Sequence, residues 1–256
     1  MWLRLRQIAL IARELAPVVD DIREVFGLEV AYRDPQVKVF GLENAVFPVG
    51  NQFLEVVAPI QEGTAGGRYL DRRGGDGGYM VICQCDDHAP RKRRVAELGV
   101  RTVLEHDEPE FRIMQLHPRD TGGCLFEIDE QIGGEALDGP WAPAGKNWKA
   151  AVRTNIVRGI TAAEIQSPAP ADLAARWGQI VELPVQTDAN GAPSLYVDNA
   201  TVRFVKDTDG RGEGLGGVDL IVADRARLLA AAERRGRRLA DDLVHVCGVR
   251  FRLVEK

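Results

Sequence analysis

The chain has 256 residues, a formal net charge of -5, 45% hydrophobic and 28% charged residues. That composition belongs to an ordinary globular protein long enough for one large domain or two small ones. An acidic balance gives no support to a nucleic-acid partner, and no apolar run is long enough to span a membrane.

Leu3 to Ala12 reads as a strand, with Leu3, Leu5, Gln7, Ala9 and Ile11 on one face. The opening residues lack a clean apolar core and a small-residue cleavage site, so no signal peptide is read. "LAPVVDDIREVFG" follows as an amphipathic helix closed by Gly27. Three extended runs come next, "LEVAYRD", "KVFGLENAVFPVG" and "NQFLEVVAP". "GTAGGRYLDRRGGDGG" reads as a Gly-rich link. The same order then returns, with strand "YMVICQCDD", helix "APRKRRVAELG" and strands "VRTVLEHD", "FRIMQLHP" and "CLFEIDE". The basic cluster in that helix reads as a solvated face. His88 and His106 read as solvated, and His245 falls in a strand without a matched partner.

"IGGEALDGPWAPAGKNW" (Ile132 to Trp148) has the Gly, Pro and Ala content of a linker. Beyond it come strand "ITAAEIQS", helix "PADLAARWGQIVEL", and strands "PVQTD", "APSLYVDN" and "ATVRFVKD". A last unit holds strand "VDLIVAD", helix "RARLLAAAERRG" and the strands within "RRLADDLVHVCGVRFRLVE". The fold class is α+β, four β-α-β-β-β units in two pairs. The expected domains are 1–132, a linker at 133–149, and 150–256. Cys83, Cys85, Cys124 and Cys247 make no C-x-x-C pair, and all fall in expected strands. Buried reduced thiols in a cytoplasmic protein fit them.

In "CLFEIDE", Cys124, Phe126 and Ile128 share one strand face, and Leu125, Glu127 and Asp129 the other. A carboxylate among apolar neighbours is either on an exposed face or part of a site that needs partners elsewhere.

The module order and the segment "HPRDTGGCLFEID" resemble the vicinal oxygen chelate superfamily, which includes glyoxalase I, methylmalonyl-CoA epimerase, extradiol dioxygenases and bleomycin-resistance proteins. The resemblance implies incomplete barrels around a cavity, with a metal-ligand Glu at Glu127. It implies further ligands at Gln7 and Glu55. Nearly the same offset separates Gln7 from Glu55 and Met80 from Glu127, so Met80 stands at the fourth ligand position, where a thioether is a poor donor for hard metals. Gln7, Glu55 and Glu127 with waters could hold Zn, Mn, Mg or Fe(II); they could equally form a metal-free polar cluster. Glu127 could also act as a base. His117, Arg119 and Met80 are the candidate substrate contacts, Arg119 offering a bidentate grip on an anion; a surface turn is the other reading of that stretch.

By register the second half has Ala162, Arg203 or Phe204, Gly217 and Arg252 at the four ligand positions, so its site is degenerate. Arg203, Arg250 and Arg252 could still attract an anion. Three readings stay open. One is a lyase, isomerase or dioxygenase acting on a small oxygenated, anionic or CoA-linked molecule. Another is a non-catalytic binding protein of the bleomycin-resistance kind. The third is a structural or regulatory homologue with no ligand. The partner is a small molecule, with neither nucleic acid nor membrane, and a homodimer is compatible with the pattern.

Overall fold

The computed structural model of the chain describes residues 1–255. The first half runs β1 (Leu3–Ile11), α1 (Leu15–Phe26), β2 (Leu42–Val49), β3 (Gln52–Pro59), α2 (Ala65–Arg73), β4 (Gly77–Cys85), α3 (His88–Glu97), β5 (Thr102–Asp107), β6 (Phe111–Leu116), α4 (Pro118–Thr121) and β7 (Leu125–Gln131). The second half runs β8 (Val157–Ser167), α5 (Pro170–Val181), β9 (Gln186–Thr187), β10 (Pro193–Val197), β11 (Ala200–Lys206), β12 (Gly214–Val222), α6 (Arg225–Arg234), β13 (Arg238–Ala240), β14 (Leu243–Val246) and β15 (Val249–Val254). The α+β modules expected from the sequence are therefore present. Their strands form a seven-stranded sheet in the order β2-β3-β1-β4-β7-β6-β5 and an eight-stranded sheet in the order β13-β14-β15-β12-β8-β11-β10-β9.

By packing, the chain divides into two compact units, and each takes modules from both halves of the sequence. One holds Met1–Gln7, Tyr79–Ala142 and Ala162–Leu215. The other holds Ile8–Gly78, Pro143–Thr161 and Gly216 to the chain's end.

The first unit has its core where α5 lies on β7 and β11. Trp177 is stacked on Phe126 with ring centres 4.2 Å apart and meets Phe204 edge-on at 5.6 Å. Phe126 belongs to the apolar face of β7, so the alternation read in the sequence is what seats this helix. Arg91 of α3 donates to the Val181 carbonyl at 2.7 Å, which satisfies a helix-end acceptor that α5 leaves unpaired.

In the second unit, α1 buries Val18, Val19, Ile22, Val25 and Phe26, and Phe26 meets Phe251 at 4.9 Å. The helix ends at Gly27, whose φ of 67° and N–H to the Arg23 carbonyl make a left-handed cap. A Cβ there would also lie 2.6 Å from the Ile156 side chain, so conformation and space both select glycine. Asp21, on the same helix, is buried and accepts from Arg235 at 2.8 Å and Arg237 at 2.7 Å.

Three local expectations are corrected. "LEVAYRD" forms no regular strand: only Tyr32 bridges, to Val46, before Asp34 caps a 3₁₀ turn at Pro35–Phe40. The Gly-rich link contains α2, started by Thr64, whose hydroxyl accepts from Gly67 N, and anchored by buried Leu70. Gly66 packs where a Cβ would meet Ile11 at 2.9 Å, so glycine there serves packing. "PVQTD" supplies only the two-residue β9.

All four cysteines are free and buried, and burial pushes the Cys83 and Cys85 thiols up, Cys85 to about 12. These two are poor nucleophiles. Among the described residues, no helix is long and apolar enough to cross a membrane.

Candidate functional site

Glu127 sits in β7 opposite Ile82 of β4 and Gln115 of β6. Paired residues in a sheet share a face, so Met80, Ile82 and Gln84 line up beside Leu125, Glu127 and Asp129. Both carboxyl-bearing residues are buried, Glu127 at 7% exposure and Asp129 at 0%. Gln115 donates one N–H to Glu127 Oε2 at 2.9 Å and makes a longer contact of 3.8 Å to the Met80 sulfur. Glu127 and Met80 are thus brought together by one amide.

Burial raises the Glu127 carboxyl above its ordinary range, partly offset by hydrogen bonding with Asp129 and from Gln115. Burial raises Asp129 well above its ordinary range, and the Glu127 charge beside it adds to the effect. Neither Asp129 oxygen accepts a well-formed hydrogen bond from an N–H donor. Of the two adjacent carboxyls, Asp129 is pushed up further and is the one more readily protonated.

Gln7 is buried, and its side-chain oxygen accepts from the Trp141 indole N–H at 2.8 Å. Trp141 is itself buried and meets Phe111 of β6 edge-on at 5.2 Å. In the other unit, Glu55 is opposite Val46, and its Oε1 accepts from Asn44 at 2.7 Å. Trp148 stands edge-on to Phe53 at 5.1 Å, two residues along the same strand face. The stretch read as a linker is therefore packed at both of its tryptophans, each beside strands expected to carry ligands.

His117 caps α4, its Nδ1 accepting from Arg119 N at 3.1 Å. Arg119 is exposed. Asp120 is tied to Arg101 by bonds of 2.7 and 2.8 Å. His88, expected in solvent, is buried at the start of α3 with Nε2 3.0 Å from the Ile128 carbonyl, and burial lowers its pKa. His106 is exposed beside Glu108.

The donor chemistry does not fit the divalent metal that the family resemblance implies. The Gln7 oxygen accepts from an indole N–H, Met80 offers a thioether already facing an amide N–H, and one Glu127 oxygen accepts from Gln115. Among the described residues, no group of three or more His, Cys, Asp or Glu side chains could hold a metal ion.

In the second half, Arg203 donates to Glu164 at 2.9 and 3.1 Å across β8 and β11. In its own unit, Arg252 lies 3.9 Å from Asp219. Ion pairs, one largely buried at Arg203 and one half-exposed at Arg252, stand where oxygen donors would be needed.

Asp129, Gln115 and Trp141 belong to the site but were not among the residues expected from the sequence. Asp129 was legible as the next inward position after Glu127. Gln115 needed the β6–β7 register, and Trp141 needed the path of a Gly/Pro-rich segment.

A mixed α+β protein of repeated modules, with a buried carboxyl pair on an inward sheet face, is what this geometry defines. The chain belongs to the glyoxalase-like domain family, whose model matches residues 8–181, and so to the vicinal oxygen chelate superfamily. It is 25% identical over 132 residues to an ethylmalonyl-CoA/methylmalonyl-CoA epimerase of Cereibacter sphaeroides, covering 50% of this chain and 97% of that protein. A hypothetical protein from Staphylococcus aureus matches the fold over 100% of both chains at 12% identity and a TM-score of 0.67. A methylmalonyl-CoA epimerase from Streptomyces coelicolor, solved with 2-nitronate-propionyl-CoA, covers 50% of this chain and 96% of its own at 23% identity and a TM-score of 0.45.

Proposed function

We propose that the chain moves a proton at the carbon next to a thioester carbonyl in a small, anionic CoA ester. The single observation that carries this reading is Glu127, a buried carboxyl oriented by Gln115 and lying beside the buried Asp129 carboxyl. The similarity of half of the chain to an ethylmalonyl-CoA/methylmalonyl-CoA epimerase supports the substrate class.

In the step, the Glu127 carboxylate takes the α-proton. The C–H electron pair moves toward the carbonyl oxygen, giving an enolate, and Glu127 returns the proton to carbon. A carboxyl whose pKa burial has raised is a stronger base than one in water, closer to the pH at which it must work. Gln115 keeps one Glu127 oxygen fixed and so orients the carboxyl. Asp129, the more readily protonated of the two, lets the pair stay buried without two charges.

The competing reading, a protein that binds its ligand without chemistry, is favoured by Trp141, which covers Gln7 on the same unit. The two separate in heavy water. Methylmalonyl-CoA and ethylmalonyl-CoA are incubated with the protein in D2O and followed by mass spectrometry. Protein-dependent gain of one deuterium supports proton transfer. Saturable binding without deuterium gain replaces it with the sequestering reading.

A further inference from the structure

Two buried arginines on β1 bind main-chain carbonyls of one short segment. Arg4 is 3% exposed and Arg6 1% exposed. Arg4 donates to the carbonyls of Glu135 at 3.0 Å and Ala136 at 3.2 Å, to that of Gly134, and to the Gln84 side chain at 2.8 and 3.1 Å. Gln84 adds its own N–H to the Gly134 carbonyl at 3.0 Å. Arg6 donates to the carbonyls of Leu137 at 2.5 Å and Gly139 at 3.0 Å. Its guanidinium carbon stands 5.5 Å from the centre of the Trp141 ring. The segment then ends with Trp141 on Gln7 and with Ala142 N donating to Gln131 at 2.8 Å.

Desolvating two like charges this close is costly, and carbonyl dipoles repay less of that cost than an anion does. Burial and the neighbouring Arg4 lower Arg6 to about 9. Asp198 acts favourably on Arg4 from outside the segment, and the segment brings its own charges to the same place, Glu135 acting on Arg4 and Asp138 on Arg6. Its outer side is open to solvent at Ile132, Glu135, Leu137 and Asp138, and Gly133 has a φ of 71°. So it is held by one inner row of carbonyls, by Trp141, and at its ends by the Ile132 N–H on the Glu110 carbonyl and the Ala142 N–H on Gln131, with a glycine near its start.

We infer that Ile132–Ala142 is a strap standing in for an anionic ligand, and that a molecule bearing a carboxylate or phosphate takes Arg4 and Arg6 in its place. The planar guanidinium forks that now share carbonyls match those groups two bonds at a time. The same displacement lifts Trp141 from Gln7 and opens the face that carries Glu127. The inference rests on that face being the ligand face, but anion binding needs no turnover, so it stands or falls separately from proton transfer.

The full-length chain is titrated with sodium malonate and, separately, inorganic pyrophosphate at constant ionic strength. Cleavage within residues 132–142 by a nonspecific protease and tryptophan emission are followed together. Saturable acceleration of cleavage with a red-shifted emission is expected. The more effective probe tells carboxylate from phosphate. The surface double variant Glu135→Gln, Asp138→Asn removes the strap's own charges. It is expected to shift the half-saturating concentration down about fivefold, because the open form is more populated. Arg4→Gln is expected to cut fast without probe and to gain nothing from it. Cleavage insensitive to both anions in the wild type and in the surface variant overturns the inference. So does a surface variant whose half-saturating concentration is unchanged.

Discussion

Gln115 Nε2 lies 2.9 Å from Glu127 Oε2, across directly opposed positions of β6 and β7. The amide satisfies one oxygen of a buried carboxyl that has few other donors. Replacing Gln115 with Leu should destabilise the chain by about 1–3 kcal/mol, the usual cost of leaving a buried polar group unmet. Urea denaturation measures it. A loss well under this range would mean that water or Asp129 already serves that oxygen.

Asp129 gives a pH signature. Its folded-state pKa is above its unfolded value, so the folded chain holds the proton more tightly. That contribution is complete below the ordinary carboxyl pKa of 3.8 and is lost as pH rises through the raised folded value. Asp129→Asn keeps the shape and removes the titration. Thermal midpoints measured from about pH 5 to about pH 9 should fall less steeply with pH in the variant. Parallel curves would show that Asp129 does not carry that proton.

Trp177 should separate packing from hydrogen bonding. It is fully buried between Phe126 and Phe204, and its indole N–H finds no partner among the described residues. Trp177→Ala should cost about 3–5 kcal/mol, mostly as a cavity. Trp177→Phe keeps a stacked ring and loses an unmet donor, so it should cost clearly less. Equal losses in denaturant titrations would show that the indole's full volume is what matters.

Asp21 should act as a keystone of the other unit. It is 1% exposed, and its two arginine partners reach solvent. Asp21→Ala strands Arg237 and leaves Arg235 only Glu24 at 3.3 Å, but lets water reach both cations, so the expected loss is about 2–4 kcal/mol, somewhat below that of a fully buried pair. The same titrations measure it.

Most strands and helices were legible because period and punctuation agreed. The alternation around Glu127 placed Phe126 toward a helix and Asp129 inward, and Gly27 marked a helix end. What stayed hidden depended on partners distant in sequence. "LEVAYRD" has a strand's composition but only one residue that finds a neighbour. The Gly-rich run around Leu70 has a loop's composition, yet one threonine cap and one buried leucine suffice for a helix. The Ile132–Trp148 stretch has a linker's composition, and nothing local reveals that arginines on the first strand will hold its backbone.

Proton transfer by Glu127 on a CoA ester is open to one decisive comparison. The rate of deuterium gain at the α-carbon of methylmalonyl-CoA in D2O is measured for wild type and Glu127→Gln, with calorimetric binding recorded for both. Similar binding is expected, with an exchange rate lower by about a hundredfold or more in the variant, the scale of losing a general base. Equal exchange rates in the two proteins would contradict a proton-transfer role for Glu127.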